Sequence, residues 1–118
     1  MSLADAHFEV VEQVVVAHVD GEIDMSNVDE LRAALAAQVS NAELGLVLDL
    51  VEVGYLDSSG IQLIYQLREE LGERGLQLRL VVAPGSPIAD ALRFADVTHS
   101  VGALETVEDA LSSFDDAV

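Results

Sequence analysis

The chain has 118 residues, 51% of them apolar but only 4% aromatic. That composition fits one domain with a core of Val, Leu, Ile and Ala, and it excludes a disordered polymer. Twenty-two acidic residues against five arginines and no lysine give a formal charge of −17, so direct binding to nucleic acid or to an anionic membrane is not expected. The acidity suits solubility in a salt-rich cytoplasm, or a basic patch on a partner protein. No cysteine is present, which excludes disulfides and thiolate chemistry.

No apolar run approaches the about 20 residues needed to span a bilayer, so no membrane insertion is expected. The N-terminus has neither the basic stretch nor the apolar stretch of a secretory signal, which makes the cytoplasm the expected location.

In chain order, two β-branched stretches, Phe8 to Val11 and Val14 to Val19, joined at Glu12-Gln13, predict a hairpin. A turn at Asp20-Gly21-Glu22 then leads into Ile23-Asp24-Met25-Ser26. Ser26 with Asp29 three residues on resembles a capping box, and Val28, Leu31, Leu35 and Val39 recur at helical spacing. Gly45 to Leu50 is a short apolar run, as in a strand covered on both faces. After Val51 to Tyr55, Asp57-Ser58-Ser59-Gly60 opens a second helix with Leu63, Leu67 and Leu71 on one face, ending at Arg74-Gly75.

Leu76 to Val82 predicts a fourth strand. In Pro84-Gly85-Ser86-Pro87, Ser86 can cap a third helix with proline at its first position and Ile88, Ala91, Leu92 and Ala95 as its buried stripe. A short last strand is expected around Thr98 to Val101. Val107, Ala110, Leu111 and Phe114 mark a terminal amphipathic helix starting near Thr106. The sum is a single α/β domain with a mixed β-sheet: a hairpin, then parallel strands linked by right-handed helical crossovers. Sites in such sheets tend to lie beyond the carboxyl ends of the parallel strands, where Asp57-Ser58-Ser59-Gly60 falls.

At that junction the first N–H groups of a helix are unpaired and its dipole presents partial positive charge. Taken alone, Asp57, Ser58 or Ser59 reads as a helix cap worth about 0.5 to 2 kcal/mol. The same geometry tolerates a phosphate on Ser58, which would add about −1.5 to −2 charge to an exposed surface.

The stretch Val47-Leu48-Asp49-Leu50, then Val53-Gly54-Tyr55-Leu56-Asp57-Ser58-Ser59-Gly60, resembles the signature of the sulfate transporter and anti-sigma factor antagonist (STAS) domains. Gly21-Glu22-Ile23-Asp24 is similar to the turn that precedes the first helix in that family. The resemblance covers essentially the whole chain and implies a single STAS-like domain over residues 1–118, with helices packed mainly on one face of the sheet. It implies that Ser58 matches the serine phosphorylated in bacterial anti-sigma factor antagonists, and that Asp24 and Asp57 match acidic residues near the kinase interface. Ser59, Gly60 and Gln62 complete the implied partner-binding surface, with Ser59 supporting the helix start. Gly60-Ile61-Gln62 departs from the Gly-Leu-Gly found in many members.

The implied mechanism is a switch. Unmodified protein binds a kinase-type anti-sigma factor and frees the sigma factor; phosphorylation of Ser58 separates the pair, and a phosphatase resets it. The protein would be a substrate with no cofactor of its own, the nucleotide and Mg²⁺ coming with the kinase. The alternative is a constitutive binding module of the same fold in a lipid-transport or stress-signalling complex. A hydrolase using Ser58 would need a histidine base and an oxyanion hole, and no Gly-x-Ser-x-Gly elbow is present. His7, His18 and His99 lack metal-ligand spacing.

Overall fold

The computed structural model describes residues 4–94 and 102–115. Five strands form one sheet: β1 (Ala4–Val11), β2 (Val14–Ile23), β3 (Gly45–Leu56), β4 (Gln77–Val81) and β5 (Gly102–Leu104). They lie side by side in sequence order, β1 antiparallel to β2 and every later pair parallel. The helices are α1 (Val28–Val39), α2 (Ser58–Glu73), α3 (Pro87–Phe94) and α4 (Val107–Asp115).

This linear order determines where the helices go. From β2 onward each crossover advances one strand in the same direction, and such crossovers share a right hand, so their helices must land on one face. Leu31, Leu35 and Val39 of α1, Leu63, Ile64, Leu67 and Leu71 of α2, and Ile88 and Leu92 of α3 accordingly share one core with Val15, Ala17, Val19, Leu46, Leu48 and Leu50. α4 follows the last strand and belongs to no crossover. It covers the opposite face, where Ala110 and Phe114 pack on Val14, Val16, Val47 and Val81.

The strands run longer than their apolar stretches predict. β2 continues through the expected Asp20-Gly21-Glu22 turn to Ile23, and β3 continues past Leu50 to Leu56. The two extensions pair with each other, so their backbone groups are satisfied although the side chains lose the apolar pattern. The register shifts between His18 and Asp20 and again between Gly21 and Glu22, β3 contributing the extra residue each time. Asp49 Oδ1 accepts the N–H of Val51 at the first shift, 3.1 Å away.

Three helix ends follow the sequence reading. Gly75, at φ +73°, closes α2 with Leu76 N–H bonded to Leu71 O at 2.8 Å and Gly75 N–H to Gly72 O at 3.1 Å. Ser86 Oγ caps α3 through Ala89 N–H at 3.1 Å, and Thr106 Oγ1 caps α4 through Asp109 N–H at 3.0 Å. The α3 stripe is narrower than expected, with Ile88 and Leu92 buried and Ala91 half-buried; Ala95 lies outside the described residues. So does the Thr98 to Val101 stretch expected as the last strand; the last strand among the described residues is Gly102–Leu104.

Candidate functional site

The carboxyl ends of β2 and β3 finish level: Ile23 pairs with Leu56, and Asp57 N–H reaches Ile23 O at 3.2 Å. Immediately beyond, the two strands make the same turn side by side. Asp24 Oδ1 accepts from Ser26 N–H (2.9 Å) and Ser26 Oγ–H (2.5 Å). Asp57 Oδ1 accepts from Ser59 N–H (2.9 Å) and Ser59 Oγ–H (2.5 Å), and also from Gly60 N–H (3.2 Å). In each Asp-x-Ser turn the aspartate and serine are tied together and the middle residue, Met25 or Ser58, is exposed. Met25 N–H donates to Asp57 Oδ2 at 3.3 Å and so joins the two turns.

Asn27, buried at 2% exposure, anchors the first turn. Its Oδ1 accepts from Asp24 N–H at 3.1 Å and its Nδ2 donates to Glu22 O at 2.8 Å. The expected capping box is therefore not formed. α1 begins at Val28 with Asn27 at the cap position, Asn27 turns its side chain back into the loop, and the Ser26 hydroxyl goes to Asp24. Leu31 N–H on Asn27 O at 3.0 Å closes the first helical turn, and Val28 N–H on Asp24 O at 3.0 Å closes the turn that leads into it.

Asp57 is the N-cap of α2. The Ser59 hydroxyl first, together with the N–H groups of Gly60, Ser59 and Met25, outweighs partial burial and holds its carboxyl below the usual range. Ser58 is the first helical residue, exposed, and its hydroxyl has no hydrogen-bond partner among the described residues. The Ser59 and Gly60 N–H groups that a phosphate on Ser58 would seek are already held by Asp57.

The six residues implied as a partner surface separate by position. Asp24, Asp57, Ser58 and half-buried Ser59 meet at the joined turns, and Gln62 is exposed one helical turn beyond Ser58. Gly60 is buried. A Cβ there would overlap the Leu56 side chain and come within 3.1 Å of Ile23 Cγ2, so glycine lets α2 start pressed against the strand ends.

The sheet order never reverses, so no crevice opens beyond the strand ends as it does at a topological switch point. The grooves seen among the described residues lie elsewhere, between the distal half of α2 and β4 at Arg68, Gly72 and Leu76 to Arg79, and between α1 and α2. Arg68 is about 15 Å along the helix from Ser58 at 1.5 Å per residue. Among the described residues, the joined turns form an exposed surface and line none of these grooves.

Of the histidines, His18 stands on the α4 face of the sheet, its Nδ1 2.8 Å from Asp49 Oδ2 and its Nε2 2.7 Å from Glu9 Oε2. No group of three or more metal-ligating side chains is found among the described residues; His99 lies outside them. Sequence reasoning passed over Met25 and Asn27. A methionine set between Asp and Ser in a polar turn was the signal for the first, whereas nothing local shows that Asn27 would be buried.

A family model described as STAS domain matches residues 5–110. BtrV of Bordetella bronchiseptica, which carries the name of an anti-sigma factor antagonist, is 34% identical over 67 residues, 53% of this chain. The match spans 58% of that relative's length. Among solved structures, an anti-sigma factor antagonist from Mycobacterium paratuberculosis superposes with a TM-score of 0.85 at 26% identity, covering 95% of this chain and 94% of that one. SpoIIAA in its unphosphorylated form has the same fold, with a TM-score of 0.78 at 22% identity over 97% of this chain and 99% of that one. SpoIIAA from Bacillus has also been solved phosphorylated, and matches with a TM-score of 0.66 at 22% identity over 92% of this chain and 98% of that one.

Proposed function

The chain belongs to the STAS domain family, and on that premise we propose that it is an anti-sigma factor antagonist that acts by partner switching through Ser58. Unmodified, it binds a kinase-type anti-sigma factor across the joined turns and displaces the sigma factor. The kinase then transfers the γ-phosphoryl group of ATP to Ser58 Oγ, with ADP leaving and the hydroxyl proton passing to a base on the kinase. A phosphatase restores the hydroxyl.

The observation that carries this reading is the exposed Ser58 hydroxyl, without a partner among the described residues, on a first helical residue whose neighbouring N–H groups are already taken. A phosphate placed there adds about −1.5 to −2 charge. Asp57 stands directly beside it with Asp24 in the adjoining turn, and the capped N–H groups are not free to absorb the charge. The modification therefore acts on whatever lies over the turns, through repulsion and desolvation, and leaves the core intact. Existence of SpoIIAA in both forms supports the same reading.

The test is intact-mass measurement after incubation with Mg²⁺-ATP and kinase-type anti-sigma factors from the same genome. Addition of a single phosphate to the wild type and none to Ser58→Ala is expected. No addition with any candidate would overturn phosphoryl switching and leave a constitutive binding module.

A further inference from the structure

We propose that Met25 is the apolar anchor of this interface, seated in an apolar recess bordered by arginine or lysine on the partner protein. The inference rests on the partner-switching reading and names the chemistry of the partner's surface. Met25 is 80% exposed, more than Val10 at 57% or Tyr55 at 51%, the next most exposed large apolar residues among the described ones. A solvated thioether side chain gains nothing for the fold where it stands. It is flexible and polarisable, which suits a recess of irregular shape.

The backbone beneath it is fixed. Met25 N–H is bonded to Asp57 Oδ2, Asp24 and Ser26 close the turn around it, and buried Asn27 pins that turn to β2. A partner would have to order only the side chain, which keeps the entropic cost of docking low. The bond to Asp57 also sets Met25 next to the residue that carries the switch, so a phosphate on Ser58 would charge the margin of the recess that Met25 enters. Asp24 and Asp57 flank the position, on a chain of net charge −17. This charge favours a basic rim on the partner and disfavours nucleic acid.

The experiment measures affinity for a purified kinase-type anti-sigma factor from the same genome, chosen as one that binds the wild-type chain. Met25→Ser and Met25→Glu should each weaken binding about ten-fold or more, as truncating an interface anchor does, while Met25→Leu stays within about three-fold. Val10→Ser, at the opposite end of the sheet, should bind as wild type. Unchanged thermal midpoints would confirm that the Met25 variants fold. Wild-type affinity in Met25→Ser and Met25→Glu alongside lost binding in Ser58→Glu would overturn the anchor and keep the switch. Weak binding by Met25→Ser with wild-type affinity in Ser58→Glu would keep the anchor and overturn the switch. If no candidate bound the wild-type chain, both would fall.

Discussion

At the scale of single residues, aspartates do most of the positioning. Asp57 caps a helix, orients Ser59 and holds the neighbouring turn, so one carboxylate places both Met25 and Ser58. Asp49 similarly serves a bulge with one oxygen and His18 with the other. Asp49 and Glu9 each bond one ring nitrogen of His18, an arrangement that favours the imidazolium because both of its nitrogens can donate. Partial burial works against this charge, but the bonds to Asp49 and Glu9 outweigh it and raise the pKa above 6.5. The stabilisation is fully present below the unfolded value of 6.5 and is lost as pH rises through the higher folded value. Wild type should therefore exceed His18→Gln in stability by more at about pH 6 than at about pH 9, as read by urea unfolding at each pH. A constant difference across that range would mean that His18 titrates alike in the folded and unfolded chains, and a difference that grew with pH would mean that the fold disfavours its charge.

Among the elements, the β1–β2 hairpin turns on residues poorly suited to it. Glu12 and Gln13 both adopt positive φ, 47° and 75°, in a two-residue loop where Asn-Gly is the favoured pair. The conformation persists because Gln13 O accepts the N–H groups of Glu43 (2.9 Å) and Leu44 (3.0 Å) from the loop that enters β3. Replacing Glu12-Gln13 by Asn-Gly should keep those carbonyl bonds and stabilise the fold by about 1 kcal/mol or more, measurable by chemical denaturation.

The hairpin was legible in the sequence because β-branched residues flank it, as were α2 and α3, whose caps and apolar spacing agree. The second half of β3 was not. Val51-Glu52-Val53-Gly54-Tyr55 breaks the alternation at its two bulges, and only pairing with β2 makes it a strand. Ser26 failed as a cap for a related reason. Its competitor for the local hydrogen bonds, Asp24, is set by the strand end and not by the helix. Ser58 was visible through motif resemblance; that its neighbours' N–H groups are occupied was visible only in three dimensions.

For the whole molecule, charge and topology dominate. A surface with 22 carboxylates against five guanidinium groups repels itself. Arg32 with Glu70 and Arg93 with Asp90 relieve this locally at exposed sites, where such pairs contribute little. Arg79 is used differently, lying over the Phe114 ring at 5.0 Å and donating to Ser113 Oγ at 3.0 Å to dock α4. Raising NaCl from about 0.05 to about 1 M should thus raise the thermal midpoint, since screening removes more repulsion than attraction; a falling midpoint would show that the few ion pairs outweigh the excess charge.

The run of strands in sequence order has a further consequence, for synthesis. Each strand docks beside the one made just before it, so a chain leaving the ribosome never holds a gap open for a strand still to come. The growing sheet has a single advancing edge, and every completed crossover helix seals the face behind it while the exposed edge moves on.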